Sequence, residues 1–240
     1  MALSNQTFEY RAEQWKRYPA PAPDEAYVMG VDLGQSQDPT AIIVMRHSRT
    51  PLTTWTKNDK ARSTKQDIEE RFDVLHAERM RLGSSYPEVV DHVIEVLARP
   101  PLRDVCHLVI DESGVGRAVG DMFDAAGLRA ARISITAGTD SAKQDGHPRR
   151  WNVAKSLLIS GVDARLHSGE LRFAAELSEA SALADELKDF RRHLTAAGRA
   201  TFQARTGKHD DLVLAVAIAL WWTNERHRYR LTVGPLRGLV

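Results

Sequence analysis

The sequence predicts an α/β fold in which helices flank a mixed central sheet. Two apolar runs that end on an acid, VMGVD at 28–32 and VCHLVID at 105–111, are typical of buried strands. A helical segment and then ARISIT at 131–136 follow the second run, and strand, helix, strand in this order predicts a parallel crossover. The uncharged run at 212–222 is too short to span a membrane and predicts a helix buried against the sheet.

The composition is that of an ordinary globular protein. The chain has 240 residues, 33 Lys and Arg against 32 Asp and Glu, and a net charge of +1. This balance argues against nucleic-acid binding through bulk charge alone, but it permits a local basic patch. The N-terminus lacks the apolar core of a secretory signal, and the single cysteine, Cys106, excludes a disulfide framework and a multi-cysteine zinc site. We expect a cytoplasmic protein that does not associate with a membrane.

The elements are expected in the following order. Residues 1–26 form a polar, partly helical lead-in that ends in a proline-rich linker, because prolines at alternate positions favour extended chain. A single folded domain spans 27–227, and 228–240 form a tail. The domain opens with the strand that ends at Asp32, a glycine-containing turn and a partner strand at 41–45, and LTTWTKN at 52–58 completes a meander.

Two helices are expected before the second acidic strand. The first covers about 64–80, because its apolar residues fall near helical spacing. These residues are Ile68, Phe72, Leu75 and Met80. The second follows Pro87 and stops at the prolines at 100–101.

The remainder of the chain is expected to be mostly helical. After a helix closed by Gly127 and the strand at 131–136, residues 138–150 are polar and predict a mobile loop. The predicted elements after this loop are a helix from Trp151 to about His167, a short extended segment at 170–174, an amphipathic helix over 177–194, a strand at 200–204 and the apolar helix that follows Asp210 and Asp211.

Acidic residues stand at three of these element ends. Asp32 and Asp111 each end a strand, and the Asp210–Asp211 pair opens the apolar helix. Each has a simple structural explanation as well: Asp32 and Asp111 as turn residues, and Asp210 as a helix cap with Asp211 in the first turn. Together, strand-end and helix-start acids can form a cluster that repels itself unless protons or a divalent cation neutralise it. Such hard oxygen ligands suit Mg²⁺ or Mn²⁺ better than zinc.

The order of these motifs resembles the nuclease domain of the phage terminase large subunit. The motifs are VDLG and PTA at 31–41, VIDESGVG at 109–116 and GKHDDLVLAVAIAL at 207–220. The linking segments, VAKSLLISGVDARLHSGELRF at 153–173 and LADELKDFRRHLTAAGRATFQAR at 183–205, fit as well. The resemblance spans residues 28–224 and implies a ribonuclease H-like fold with two-metal phosphodiester hydrolysis, so that 27–227 would be a nuclease domain.

The resemblance also implies a role for each acid. Asp32 would bridge two ions, Asp111 would hold one, and Asp211 or Asp210 the other, with Asp211 preferred. Asp38 would be an auxiliary or water-mediated ligand, although a role as an Asp-Pro turn residue is the favoured explanation. His209 would orient a water or contact phosphate, unless it is structural.

The resemblance implies a phage protein that cuts concatemeric DNA during packaging in a bacterial host cell. The implied partners are double-stranded DNA, a packaging ATPase, the small terminase subunit and the portal. A full large subunit also carries a packaging ATPase with a Walker A loop, and no such pattern occurs in this sequence. The chain therefore corresponds to an excised nuclease domain or a free-standing relative, and the sequence supports no claim of motor activity.

Two groups of cations are candidates for phosphate contacts beside the acids. The first group is Lys143, Arg149, Arg150 and Lys155, and the second includes Arg191, Arg192, Arg205 and Lys208. Neither group resembles a base-reading motif, so we expect little sequence specificity.

Three alternatives remain open. A Holliday-junction resolvase of the same superfamily would also use acids and two metals, but it would prefer branched DNA. A nucleotide-binding protein of the actin-like or sugar-kinase class would use GVDLG and DESGVG as phosphate turns, but 240 residues are short for its two lobes. A packaging scaffold with a vestigial site is the third.

Overall fold

The fold is built on one large mixed sheet. The computed structural model describes residues 6–9, 24–34, 38–58, 63–114, 117–189, 191–194, 200–203 and 210–232, with the backbone alone for 6–9, 58, 63, 189, 191–194, 200–203 and 226–232. Its strands are β1 (Gln6–Glu9), β2 (Asp24–Asp32), β3 (Ala41–Asn58), β4 (Ser63–Arg79), β5 (Cys106–Asp111), β6 (Ala131–Thr136), β7 (Ser141–Lys143), β8 (Arg150–Ala154), β9 (Leu171–Phe173), β10 (Arg191–Leu194) and β11 (Ala200–Gln203). Its helices are α1 (Tyr86–Leu97), α2 (Arg117–Ala125), α3 (Lys155–His167), α4 (Ala180–Asp189) and α5 (Asp211–Thr232).

The sheet order places the two acidic strands at its centre. The order is β7-β8-β6-β5-β2-β3-β4-β9, β1 pairs with β3, and β10 and β11 form a separate hairpin. β2 runs parallel to β5 and antiparallel to β3, so the sheet is mixed, as the sequence predicted. The parallel crossover from β5 through α2 to β6 is also confirmed.

Helices cover both faces of the sheet. On one face, α5 and α3 pack on Val28, Ile43 and Val109 in the larger hydrophobic core. On the other face, α1 and α2 pack on Met29, Val31 and Ile110 in a second core. Residues 211–221 of α5 are all buried, because the helix lies directly on the sheet with α3 beside it. No helix within the described residues is long and apolar enough to cross a membrane.

The helix predicted over 64–80 is wrong, because these residues form strand β4. β4 pairs antiparallel with β3 along most of its length, and an irregularity in the register lies next to Val74. Two of the apolar residues that suggested helical spacing, Ile68 and Leu75, are exposed, whereas Phe72 and Val74 are buried with the strand period of two. β3 is also continuous from Ala41 to Asn58 rather than two strands of a meander.

Several predicted boundaries also differ from the structure. The predicted loop at 138–150 contains β7, and the helix predicted from Trp151 begins only at Lys155, since 150–154 form a strand between β6 and β7. The helix predicted over 177–194 ends at Asp189, and β10 follows it. In the predicted lead-in, Gln6–Glu9 is a strand and β2 begins at Asp24, while α5 continues beyond residue 227 to Thr232.

Candidate active site

Two carboxylates meet at the centre of the sheet. β2 and β5 run parallel, and their register places Asp32 directly beside Asp111. Side chains alternate along a strand, so Asp32 points to the same face as Val28, the face that α5 covers. The sequence predicted both acids at strand ends, and parallel pairing brings the two ends together.

A glycine allows α5 to lie against this strand end. A Cβ added at Gly30, two residues before Asp32, would lie far closer than 3.0 Å to the carbonyl oxygen of Ala215 in α5. Only a residue without a side chain permits this approach of helix backbone to strand. The approach brings the N-terminal end of α5, with Asp210 and Asp211, to the acidic strand ends.

The pKa of Asp32 responds to the charges of three other acids. Burial raises the pKa of the Asp32 carboxyl well above its ordinary value. The negative charges of Asp111, Asp210 and Asp211 raise this pKa further, and the positive charge of Lys155 lowers it. A cation at this position would therefore be stabilised by several carboxylates at once.

Asp111 is held by Ser113, which the sequence analysis did not single out. The backbone N–H of Ser113 donates to Oδ1 of Asp111 over 2.8 Å, and the Ser113 hydroxyl accepts a hydrogen bond from the N–H of Ile135 over 2.6 Å. Burial raises the pKa of Asp111, while the bonds from Ser113 lower it. Ser113 therefore fixes the carboxylate against β6, and a serine two residues after the acid was the signal for such a turn.

Asp210 is paired with a lysine from the start of α3. Nζ of Lys155 lies 2.6 Å from Oδ2 of Asp210, and the Asp210 side chain is 25% exposed. Lys155 was predicted to contact DNA; the structure places its ammonium group against Asp210, and the DNA contact stays a prediction.

Asp211 is bound differently from its neighbour. Nε of Arg79 donates to Oδ2 of Asp211 over 2.7 Å, and Nη2 donates to Oδ1 over 3.2 Å. The Asp211 side chain is only 6% exposed. One guanidinium group thus engages both of its oxygens, and no sequence motif indicated Arg79.

Arg79 also joins α5 to α4. It contacts Glu179 over 3.4 Å and pairs with Glu186. Oε2 of Glu186 accepts the backbone N–H of Val213 in the first turn of α5 over 2.9 Å, which satisfies one of the helix's N-terminal donors. Burial raises the pKa of Glu186 to about 8, and Asp211 adds to the rise.

Two auxiliary residues were predicted for the site, and of these one lies on the turn after β2 and the other lies outside the described residues. Asp38 is exposed on that turn, where Gly34 donates its N–H to Oγ1 of Thr40 over 3.1 Å. His209 lies outside the described residues, so its predicted role stays a prediction.

Two arginines of the first cationic group are already paired with acids on the α2 side. Arg150, whose side chain is 11% exposed, lies 3.7 Å from Glu112 and 3.4 Å from Asp121. Arg149 lies 3.1 Å from Asp124. These contacts tie the sheet to α2 and do not favour a DNA role for either arginine.

The other cations remain as predictions. Nζ of Lys143 lies 5.7 Å from the centre of the Trp151 ring. Arg191 and Arg192 belong to β10, of which the backbone is described, whereas Arg205 and Lys208 lie outside the described residues.

The residues present fit a divalent cation. All four acids offer only oxygen ligands, and buried carboxylates with raised pKa values are neutralised by such an ion. Among the described residues, no three His, Cys, Asp or Glu side chains lie close enough together to hold an ion as they stand. Arg79 contacts Asp211 and Lys155 contacts Asp210.

Comparison with known proteins identifies similar chains. No family model matches the sequence. The terminase large subunits of Thermus virus P23-45 and Thermus phage G20c are each 23% identical over 197 residues, which cover 82% of this chain and 32% of theirs. The chain thus spans about a third of the length of these relatives.

Solved structures show the same similarity. The large terminase nuclease of thermophilic phage G20c is 21% identical, with a TM-score of 0.53 over 82% of this chain and 81% of that one. The same nuclease with bound magnesium gives 0.52 at 22% identity over 84% of both chains, and with bound cobalt 0.52 at 22% identity over 82% and 81%. These similarities confirm the resemblance read from the motifs: the chain has the ribonuclease H-like fold of the large terminase nuclease domains.

Proposed function

We propose that the chain is a metal-dependent endodeoxyribonuclease that cuts phage DNA during genome packaging. The observation that carries this proposal is the parallel pairing of Asp32 with Asp111, faced by Asp210 and Asp211 from α5. Similarity to terminase large subunits supports the biological context. By the same similarity we propose double-stranded DNA as substrate and a packaging ATPase, small terminase subunit and portal as partners.

We propose Asp32, Asp111 and Asp210 as the ligands of two Mg²⁺ or Mn²⁺ ions. The similar nuclease of phage G20c has been solved with bound magnesium and with bound cobalt, which supports a divalent ion. Two such ions activate a water and stabilise the leaving oxygen of a phosphodiester. The charges of all three other acids raise the pKa of Asp32, so we propose that Asp32 would help to hold both ions.

Asp210 rather than Asp211 is the better candidate for the third ligand. Asp211 gives both oxygens to the guanidinium group of Arg79, whereas Asp210 pairs with a single ammonium group that can move. We propose that Asp211 anchors the start of α5 and that Asp210 holds the metal. This proposal reverses the preference for Asp211 taken from the sequence.

A plasmid assay tests the function. Supercoiled DNA is incubated with the protein and Mn²⁺, Mg²⁺ or EDTA, and the nicked and linear forms are quantified. We expect metal-dependent cutting that is lost in Asp32→Asn and in Asp111→Asn and kept in Asp163→Asn, an exposed acid on α3. Equal cutting by the wild type and Asp32→Asn would refute the proposal.

Substrate choice separates the alternatives. A nuclease of the terminase type cuts linear and supercoiled duplexes, whereas a resolvase would prefer a four-way junction. A nucleotide-binding protein would instead gain thermal stability from ATP and Mg²⁺.

A further inference from the structure

Lys155 is the cation placed among the acids of the candidate site. Its Nζ lies 2.6 Å from Oδ2 of Asp210. Its charge also lowers the pKa of both Asp32 and Asp111, so the ammonium group lies near the carboxylates of three different elements. The Lys155 side chain is 29% exposed, and a substrate arriving from solvent can reach it.

The position of Lys155 in its own helix is unfavourable. It is the first residue of α3, whose first turn has no acidic residue and whose preceding residue, Ala154, makes no side-chain cap. A positive charge at a helix N-terminus opposes the helix dipole and is therefore unfavourable. The other basic residues of α3, Arg165 and His167, lie in its last turn, where the dipole favours them. Local helix stability therefore does not explain Lys155, and the acid cluster does.

Lys155 also differs from the arginines around the sheet in the type of its partner. Arg79 is held by Asp211, Glu186 and Glu179, and Arg150 lies between Glu112 and Asp121. None of these five acids is proposed as a metal ligand, and Asp211 anchors the start of α5. The partner of Lys155, in contrast, is the acid proposed to bind the metal, and a metal ion there would displace the ammonium group.

We propose that Lys155 is a catalytic residue whose ammonium group, once displaced from Asp210, donates a hydrogen bond to a non-bridging oxygen of the phosphate being cut. This proposal rests on the proposed nuclease function. In the hydrolysis, a water oxygen forms a bond to phosphorus, the bond to the leaving sugar oxygen breaks, and the water proton passes to solvent while the leaving oxygen takes up a proton. Lys155 keeps its own proton and stabilises the charge that accumulates on the phosphate oxygens.

The test compares Lys155→Met and Lys155→Arg with the wild type. Cleavage rates are measured at saturating Mn²⁺, and Mn²⁺ affinity is measured separately without DNA. We expect Lys155→Met to lower the saturated rate by about 100-fold or more, the usual loss when one donor to a developing oxyanion is removed. Its Mn²⁺ affinity should be equal or higher, since a competing cation has gone, and Lys155→Arg should recover part of the rate.

The control is Lys65→Met, an exposed lysine on β4 near the strand end remote from Arg79, which should cleave at the wild-type rate. A Lys155→Met rate within twofold of the wild type would overturn the proposal and leave the nuclease function standing. Loss of Mn²⁺ binding in Lys155→Met would also overturn it, because Lys155 would then act only by positioning Asp210. If Lys155→Met does not fold, Lys155→Gln is judged by the same criteria. Absence of cleavage by the wild type would refute the nuclease function itself.

Discussion

At the scale of single residues, the site is a set of carboxylates held together against their own repulsion. The raised pKa of Asp32 means that the folded chain holds its proton more tightly than the unfolded chain does. Without metal, the contribution of Asp32 to the free energy of unfolding is therefore fully present below the ordinary pKa of aspartate. This contribution is lost as pH rises through the raised pKa. In the absence of a cation, the close approach of these acids to Asp32 therefore lowers the stability of the folded chain at neutral pH.

The first prediction concerns the stability of the metal-free protein. Asp32→Asn removes a buried charge that three other carboxylates oppose, so it should raise the melting temperature in EDTA, and by more at pH 8 than at pH 5. Thermal unfolding at both pH values measures this effect, with Asp163→Asn as the surface control. A lower melting temperature for Asp32→Asn at pH 8 would contradict the repulsion on which the site rests.

The second prediction separates the neighbouring acids of α5. Asp211→Asn takes away the bidentate partner of Arg79, which keeps its contacts with Glu186 and Glu179, so it should destabilise the fold by about 1–3 kcal/mol. Asp210→Asn removes a more exposed carboxylate, so it should change stability little and weaken Mn²⁺ binding strongly. Denaturant unfolding and Mn²⁺ titration of both variants measure the difference. The opposite pattern would make Asp211 the ligand.

At the scale of elements, the contact of α5 with β2 sets the geometry of the site. Gly30→Ala would force a Cβ into the backbone of α5 and push the helix away from Asp32. We expect a loss of stability of about 1–3 kcal/mol or more, together with loss of cleavage. Gly161→Ala is the matched control, because the added Cβ would meet only Leu220, at 3.9 Å. This substitution in the middle of α3 should stabilise the folded chain by about 0.5–1 kcal/mol. Equal stability of Gly30→Ala and the wild type would contradict this packing.

The junction of α4 with α5 predicts a pH dependence of stability. The Glu186 carboxyl has a pKa of about 8 in the folded chain against an ordinary value of 4.5. Between these two pH values the unfolded chain loses a proton that the folded chain keeps, so this residue lowers stability as pH rises. Glu186→Gln should therefore gain stability over the wild type from pH 5 to pH 8, as measured by denaturant unfolding. A gain that does not depend on pH would show that Glu186 is ionised in the folded chain.

The elements also show how far the sequence predicts this fold. The apolar runs that end in Asp32 and Asp111 correctly predicted two strands, because a fully buried strand is a short, nearly continuous run of apolar residues. β4 was misread, because exposed Ile68 and Leu75 fell at helical spacing with buried Phe72, and pairing with the distant β3 decided the outcome. The spacing of apolar residues within one segment does not reveal which distant strand that segment pairs with.

The supporting residues of the site were missed for the same reason. Arg79 and Glu186 reach Asp211 from elements that are remote in the sequence, and no local motif marks them. Ser113 was closer to prediction, since it follows Asp111 in the same turn. The sequence thus predicted the acids, and the fold revealed what holds each of them.

At the scale of the whole molecule, positive and negative charges are nearly balanced. The chain carries a net charge of only +1, and the described arginines around the sheet are largely paired with acids. Under the proposed nuclease function, we therefore expect Lys155 and metal ions held by the acids to contribute to DNA binding.

The central claim is that Asp32, Asp111 and Asp210 form one divalent-cation site, and calorimetric titration with Mn²⁺ tests it most directly. We predict saturable binding by the wild type and by Asp163→Asn, and none by Asp32→Asn. Absence of binding to the wild type, or equal binding to Asp32→Asn, would contradict the account whatever the outcome of the cleavage assays.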